Sequence, residues 1–246
     1  MRQPLAIVQI FRRSEQGATR PFLCRCEDDR HYYVKGRSAG PRSMLCEWLA
    51  GHMARALDLP VPDFAVVRAP PELIFAHAEG NELGPLPAFA SHVANSWQEL
   101  SASHLDEVDD ALKRDVAVFD WWVRNQDRTL TTQSGNPNLL WNGSEKQLVV
   151  IDHNLAFDRD FDAKTFHDTH VFADALAQVR GDESLQDGLA QRLRTALKIA
   201  EQVCDEAPPE WWFADEERTI AVDFDRTAVM SILRRCDSAE FWRFDT

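Results

Sequence analysis

The sequence lacks the signatures of several large protein classes. It has no run of roughly 18 uninterrupted apolar residues, the length that a helix needs to cross a bilayer. Its N-terminus has no secretory-signal pattern of charged, apolar and small-residue regions. It also contains no GxxxxGKS/T, GxGxxG, GxSxG or HExxH motif. These absences exclude motif-based assignments to the P-loop proteins, Rossmann proteins, serine hydrolases and zincins.

Cysteine and positive charge are also limited. The five cysteines are an odd number in a chain of 246 residues, which fits reduced thiols better than a disulfide framework. The net charge of -13 argues against general binding to nucleic acids or anionic membranes, because both need basic patches. We therefore expect a soluble, cytoplasmic protein with neither a nucleic-acid partner nor a membrane partner.

The charge is unevenly distributed along the chain. Residues 1–46 contain nine Lys or Arg and four acidic residues, a balance of +5, and the remaining 200 residues have a balance of -18. A basic N-terminal segment suits a small polyanion such as a nucleotide, although exposed arginines that serve solubility give the same pattern. The acidic second part hints at a basic acceptor or partner protein, or serves solubility alone.

The N-terminal part is predicted to be β-rich. Short apolar runs separated by turn residues are typical of strands. They predict five strands, at residues 5–11, 22–26, 31–35, 64–67 and 73–76. The loop between the first two strands is polar and has Gly17 at its centre. From Ser43 the apolar residues recur with a period of 3.6, which predicts one main helix between the third and fourth strands.

A connector rich in Gly and Pro, residues 77–87, is the best candidate for a domain boundary. We expect an N-lobe at residues 1–90, which would bind the nucleotide, and a C-lobe at residues 91–246. Ser103 and Asp106 resemble the start of a helix. Further helical patterns occur at residues 169–179, 185–204 and 225–236. The second part is therefore predicted to be mostly helical.

One stretch of the second part, residues 125–157, concentrates polar side chains suited to chemistry. Two apolar runs within it, NLLW and LVVI, flank an Asn-Gly pair and predict a β-hairpin. Antiparallel pairing would bring Asn138 close to Asp152 at the open end of the hairpin, because opposed strand residues have Cβ atoms about 5 Å apart. An amide oxygen and a carboxylate are suitable ligands for Mg²⁺.

The two parts together supply the groups that phosphoryl transfer needs: a cation for the phosphates, metal ligands and an acceptor for the nucleophile's proton. Lys35, at the end of the third strand, would bind the α- and β-phosphates, and Glu47 on the following helix would pair with it. Asp127, on the polar loop before the hairpin, would orient or deprotonate the attacking hydroxyl. Asn138 and Asp152 would hold Mg²⁺.

Each of these residues also has an ordinary structural interpretation. Lysines at strand ends and glutamates at the flank of a helix are usually solvated, and Asn and Asp often bond to their own backbone in turns and caps. Asn136 is an alternative to Asn138 as the amide ligand, and Asn138 is favoured because it enters the strand directly. The order of the whole set along the chain supports the hypothesis more than any one residue does.

Five short motifs follow one another between residues 32 and 157. They are YYVKG at 32–36, CEWLAGHMARALDLPVP at 46–62, VFDWWVRNQDR at 118–128, NPNLLW at 136–141 and VVIDHNLAF at 149–157. In this order they resemble the bacterial HipA-like kinases, distant relatives of the phosphatidylinositol 3/4-kinases. The resemblance implies an α+β, two-lobed protein-kinase-like fold with ATP and Mg²⁺ between the lobes. The N-lobe would be a small antiparallel β-sheet with one main helix, and the larger, mostly helical C-lobe would carry a catalytic β-hairpin.

The resemblance also implies a role for each matching residue. By motif, Lys35 is the ATP-binding lysine and Glu47 its helix partner. Asp127 is the catalytic aspartate, and Asn138 and Asp152 are the metal ligands. The interval of eleven residues between Asp127 and Asn138 is longer than in the family, which leaves Asn136 in contention.

The loop at residues 14–21 lies where the family has its phosphate-covering loop. The resemblance therefore places Ser14 and Gly17 beside the nucleotide, and it makes Ser14 a candidate for autophosphorylation, with an ordinary loop serine as the alternative. The chain is shorter than full-length HipA toxins, so an antitoxin-like partner has no support in the sequence.

We expect an ATP- and Mg²⁺-dependent kinase that transfers the γ-phosphate to a hydroxyl group, with a protein Ser or Thr as acceptor. One alternative is a nucleotide-binding pseudokinase or scaffold, which the single glycine of the phosphate-covering loop favours. Another is a kinase for a small molecule or a lipid headgroup. The acidic second part contains no motif that identifies the acceptor.

Overall fold

The protein is an α+β chain that divides into two compact units. The computed structural model describes residues 3–15, 19–93, 97–130 and 135–245. The first unit comprises Met1–Trp48, Pro62–Asn95 and Asp205–Phe224, and the second comprises Leu49–Val61, Ser96–Cys204 and Asp225–Thr246. Each unit is thus assembled from three stretches of chain. Residues 205–224, which a single cut at residue 90 would assign to the C-lobe, are part of the first unit.

Five strands form a closed barrel in the first unit. They are β1 (Leu5–Arg13), β2 (Phe22–Cys26), β3 (His31–Lys35), β4 (Phe64–Arg68) and β5 (Ala88–His92). The order is β1-β2-β3-β5-β4, and β1 closes the barrel by pairing with β4 in parallel. The expected N-lobe sheet is small and antiparallel, and four of these pairs are antiparallel. Two register shifts in β1 account for the closure, because bulges bend and twist a strand.

The interior of the barrel is apolar. Alternate residues of β2 are buried, as expected for a strand with one face on a core. The core includes Ile7, Phe22, Cys24, Cys26 and Val34, all at most 1 % exposed. Burial raises the pKa of both Cys24 and Cys26 to about 12, so these thiols remain protonated at neutral pH. All five cysteines of the chain are buried thiols.

The helices next to these strands are α1 (Pro41–Ala56), α2 (Pro71–Ala76) and α3 (Gly80–Leu83). The helix predicted after β3 is confirmed as α1. The strand predicted at residues 73–76 is wrong, because the chain forms α2 there. Pro71 occupies the start of α2, a position where proline's fixed φ favours a helix and its missing N–H costs nothing.

The second unit is mainly helical. Its helices are α4 (Asp110–Val123), α5 (Ala163–Thr169), α6 (Ala175–Arg180), α7 (Glu183–Glu206) and α8 (Arg226–Arg234). The predicted helix start at Ser103 is instead a 3-10 turn at Ala102–Glu107. α4 begins later because the carboxylate of Asp109 accepts hydrogen bonds from the first free N–H groups of the helix, at Ala111 and Leu112.

Two small sheets complete the second unit. Their strands are β6 (Gln98–Glu99), β7 (Thr129–Leu130), β8 (Gly135–Asn136), β9 (Leu139–Asn142) and β10 (Gln147–Val150). β9 and β10 form the predicted hairpin, and β6 adds to its β9 edge. β7 and β8 form a separate two-stranded ribbon. Within the described ranges, no helix combines the length and apolar character needed to cross a membrane.

Candidate active site

Lys35 and Glu47 form a buried ion pair in the first unit. Lys35 is the last residue of β3, and its Nζ lies 2.5 Å from Oε1 of Glu47 on α1. The two residues are 8 % and 3 % exposed. The predicted pairing is therefore confirmed, and the alternative of two solvated side chains is wrong. Such burial is tolerable because each charge neutralises the other.

The residue after Lys35 must be glycine. A Cβ on Gly36 would overlap the carbonyl oxygen of Leu83, at the end of α3, and Leu83 is itself buried. Close packing of two backbones is one of the situations in which only glycine fits. This contact fixes the path by which the chain leaves Lys35.

The hairpin brings Asn138 and Asp152 to the same place in the second unit. β9 and β10 pair in register up to Leu139 and Val150. Beyond them, the N–H of Ile151 donates to the carbonyl oxygen of Asn138 at 3.1 Å. Asp152 is the next residue, so the predicted juxtaposition at the open end of the hairpin is confirmed.

Asp127 is held by two asparagine side chains. Nδ2 of Asn138 donates to Oδ2 of Asp127 at 3.0 Å, and Nδ2 of Asn136 donates to the same oxygen at 3.1 Å. Within the long interval the β7–β8 ribbon pairs Thr129 with Asn136, and this pairing returns the chain to Asp127. Asn136 is exposed, whereas Asn138 is 7 % exposed. Both asparagines therefore contact the predicted catalytic carboxylate, and Asn138 is the more enclosed.

The environment of Asp127 raises its pKa above the ordinary aspartate value. Burial is the main cause, and the negative charge of Asp152 adds to it. The hydrogen bond from Asn138 acts in the opposite direction. Asp152 must therefore lie near enough to Asp127 for their charges to interact. Asp127, Asn138 and Asp152 form one cluster.

Two residues of the cluster have left-handed backbone conformations. φ is +48° at Asn138 and +57° at Asp152. This region is uncommon for residues other than glycine, although Asn and Asp tolerate it best. Strained conformations of this kind persist where the surrounding structure fixes them, and they occur often at functional sites. The predicted amide and carboxylate ligands thus both lie at constrained positions.

Arg128 is a residue of this site that we did not predict. It is completely buried, and its Nε donates to Oδ2 of Asp120 on α4 at 2.7 Å. The carboxylate of Asp120 also accepts hydrogen bonds from Nδ2 of Asn125 at 2.9 Å and Nε2 of His170 at 3.0 Å. The sequence did contain a signal, because Asp120 interrupts the apolar run VFDWWV and a buried carboxylate needs a partner.

Ser14 follows β1, at the start of the loop that the resemblance places beside the nucleotide. The N–H of Ser14 donates to the carbonyl oxygen of Pro21 at 2.8 Å, which closes the base of the loop. Nε of Arg20 donates to the carbonyl oxygen of Ser14 at 3.3 Å. Gly17 lies outside the described residues. The roles expected for Ser14 and Gly17 stay predictions.

The candidate metal ligands are one amide and one carboxylate. In the described ranges, no group of three or more His, Cys, Asp and Glu side chains is arranged to hold a metal ion. Mg²⁺ in kinases is bound through one or two carboxylates together with substrate phosphates, so it needs few protein ligands. The donor set of Asn138 and Asp152 is therefore of the right chemical kind for Mg²⁺.

Comparison with known proteins identifies the family. The family model for HipA-like kinases matches residues 7–245. A crystal structure of the Helicobacter pylori proinflammatory kinase CtkA has a similar fold, with a TM-score of 0.59 at 12 % sequence identity. That similarity covers 98 % of this chain and 97 % of the other. No curated protein sequence matches the chain. Because the family match spans nearly the whole sequence, the chain belongs to the HipA-like kinase family and is a kinase, that is, a phosphotransferase.

Proposed function

We propose that this kinase uses ATP and Mg²⁺ and transfers the γ-phosphate to the hydroxyl group of a protein serine or threonine. The observation that carries the proposal is the convergence on Asp127. Its carboxylate accepts the amide of Asn138 at 3.0 Å and is close enough to Asp152 for that charge to raise its pKa. A proton acceptor and two hard oxygen ligands are the groups that phosphoryl transfer requires of a protein.

Asp127 is the group that accepts the proton of the attacking hydroxyl. A general base works best when its pKa is near the working pH. Burial and Asp152 both raise the pKa of Asp127, which makes it a stronger base than an exposed aspartate. The two asparagine amides hold Oδ2, so the carboxylate has a fixed orientation.

Asn138 has two functions in this proposal because its side chain has two different ends. Its Nδ2 donates to Asp127, and its Oδ1 is a separate acceptor suited to a hard cation. Asp152 supplies the second oxygen ligand. Mg²⁺ held there would neutralise phosphate charge.

The Lys35–Glu47 pair supports the nucleotide-binding part of the proposal. An ammonium on a flexible chain is a point charge suited to phosphate oxygens. Glu47 pairs with Lys35 and fixes its position, since its Oε1 lies 2.5 Å from Nζ. Lys35 would thus bind the α- and β-phosphates of ATP.

The proposal is tested by phosphate transfer from labelled ATP with wild type, Asp127→Asn and Asp152→Asn. Asp187→Asn, an exposed site on α7, is the matched control. We expect each of the first two substitutions to lower transfer by at least roughly 10²-fold, and the control to behave as wild type. Thermal unfolding of all variants shows that the losses do not come from unfolding. Transfer equal to that of wild type in both variants would refute the assigned roles.

Labelling of a lysate and a measurement of ATP binding separate the other functions considered for the chain. A bacterial lysate incubated with labelled ATP and the kinase shows whether the label enters protein or a small molecule. Label in a metabolite or lipid would refute the protein acceptor and leave the kinase chemistry intact. ATP binding by wild type without transfer to any acceptor would indicate a pseudokinase.

A further inference from the structure

We propose that Arg128 is a positioning residue for phosphate transfer. It follows Asp127 directly in the chain and binds the backbone at Asn138 and next to Asp152, and in this way it sets the spacing of the three residues. This inference rests on the function proposed for that cluster. It assigns a role to a side chain that is completely buried.

The guanidinium of Arg128 binds the two chain segments that carry the candidate ligands. Its Nη1 donates to the carbonyl oxygen of Asn138 at 2.5 Å and to that of Ile151 at 3.1 Å. Ile151 precedes Asp152, and Arg128 itself follows Asp127. Arg128 is thus connected to all three members of the cluster: it binds the backbone of Asn138, binds the residue before Asp152, and follows Asp127 in the chain.

The other side of the same guanidinium is anchored to a rigid element. Nε donates to Oδ2 of Asp120 at 2.7 Å, and both residues are 0 % exposed. Asp120 lies on α4 and is also held by Asn125 and His170. Arg128 therefore fixes the position of the cluster relative to α4.

The geometry requires arginine rather than any cation. The planar guanidinium has five donors in a fixed fork, so it can bind a carboxylate on one edge and carbonyl oxygens on another. A lysine ammonium at the same place has one nitrogen and cannot reach Asp120 and both carbonyl oxygens in the same arrangement. Lysine would retain the buried charge and lose the fork.

Arg128 acts through geometry because its charge is already paired. Burial alone would raise the pKa of Asp120, but the charge of Arg128 and the hydrogen bond from His170 lower it below the ordinary value. Asp120 is therefore a carboxylate at neutral pH, and it neutralises Arg128 locally. The hydrogen-bonding pattern, rather than a free positive charge, is what Arg128 contributes to the cluster.

The strained backbone of the cluster explains why such a residue is needed. Asn138 and Asp152 both have positive φ, and conformations of this kind require restraint by their surroundings. Arg128 binds the carbonyl oxygen of Asn138 and that of the residue before Asp152. Without these bonds both ligand segments are expected to relax.

The test compares Arg128→Lys with wild type and with Arg194→Lys. The control makes the same change at an exposed arginine that pairs with Asp237 in the same unit. We expect Arg128→Lys to raise the Mg²⁺ concentration for half-maximal transfer, or to lower the maximal rate, by about 10- to 100-fold. Calorimetry should give unchanged affinity for ATP measured without Mg²⁺, because Lys35 and Glu47 are untouched. The control should match wild type in every measurement.

A second readout needs no activity. In the protein without nucleotide, the backbone amides of residues 138–152 should exchange hydrogen faster in Arg128→Lys than in wild type. If Arg128→Lys does not fold, Asn125→Ser removes a single hydrogen bond to Asp120, and it should change the Mg²⁺ dependence in the same direction by a smaller factor.

The two proposals fail in different ways. An inactive wild type would refute the proposed function. The role of Arg128 would be refuted if the wild type is active and Arg128→Lys has the same Mg²⁺ dependence and the same rates of amide exchange. The same conclusion follows if Asn125→Ser replaces an unfolded Arg128→Lys and behaves as wild type.

Discussion

Removing one charge of the Lys35–Glu47 pair should lower the unfolding free energy, and removing both charges should restore it. Phosphate transfer should not be restored. The two residues are 8 % and 3 % exposed, and their charged atoms lie 2.5 Å apart. Truncating one partner removes the opposite charge that lies beside the other, and breaking a buried ion pair in this way costs about 3–5 kcal/mol. We therefore expect this loss in the unfolding free energy of Lys35→Met and of Glu47→Met.

The double variant Lys35→Met/Glu47→Met places two apolar side chains of similar length where the ion pair was. Such replacements are often neutral, or stabilising by about 1–4 kcal/mol, because neither charge has to be desolvated. If the two effects were independent, the double variant would instead lose about 6–10 kcal/mol, the sum of the single costs. Transfer of phosphate should remain at least about 10²-fold below wild type in every variant that lacks Lys35.

Urea unfolding and labelled-ATP transfer, measured on the same four proteins, give both results. Lys113→Met is the control, since Lys113 pairs with the exposed Asp110 at the surface and its removal should change little. A double variant as unstable as the sum of the two singles would refute the reasoning. So would a double variant that transfers phosphate at the wild-type rate, because Lys35 would then have no part in the reaction.

Two further predictions concern other buried groups. Trp211→Phe removes the N–H that donates to the carbonyl oxygen of Pro87 at 2.8 Å, and it should lower the unfolding free energy by about 1–3 kcal/mol. Trp212→Phe, at a partly exposed site, is the control and should lower it less. Equal losses of unfolding free energy in urea would contradict this prediction. Burial holds the pKa of His170 below its unfolded value of 6.5, so the unfolded chain takes up a proton at a higher pH than the folded chain does. The stability that His170 contributes is therefore complete above pH 6.5 and is lost as the pH falls below it. Unfolding measured on both sides of pH 6.5 should therefore show a weaker pH dependence in His170→Gln than in wild type, and an identical dependence would exclude this role.

The parts of the site that the sequence predicted are those set by short-range structure. The turn between β9 and β10 is closed by Oδ1 of Asn142, which accepts hydrogen bonds from Ser144 and Glu145. That turn determines the hairpin register, and the register places Asn138 beside Ile151 and Asp152. Once the hairpin was recognised, this juxtaposition followed from antiparallel pairing alone.

The contact between Asp127 and Asn138 was harder to predict because it depends on structure outside the hairpin. The described residues between them include the β7–β8 ribbon, in which Thr129 pairs with Asn136. Glycine is required at position 135, since a Cβ there would overlap the carbonyl oxygen of Thr129. A ribbon of two residues per strand has no periodicity that a sequence pattern can reveal.

Long-range contacts account for the remaining differences in the fold. The pairing of β1 with β4 joins residues more than 60 positions apart. Residues 205–224 belong to the first unit, where the indole of Trp211 packs against Trp48 with ring centroids 6.2 Å apart. Composition and periodicity describe each segment separately, so neither indicates which distant segment it will contact.

Asp120, near the C-terminal end of α4, and Asp127, just beyond it, have opposite pKa shifts, because their environments differ although the residue type is the same. Asp120 and Asp127 are seven residues apart, Asp120 within the apolar run VFDWWV and Asp127 on the polar loop that follows α4. Asp120 is enclosed with Arg128 and His170, which lower its pKa and keep it charged. Asp127 is half-buried beside Asp152, and its pKa is raised. Opposite pKa shifts in neighbouring acids commonly separate an anchor from a proton acceptor. Arg128 connects the two, because it pairs with Asp120 and follows Asp127 directly in the chain. On our proposal, the charged carboxylate of Asp120 would therefore fix the position of the carboxylate that accepts the proton.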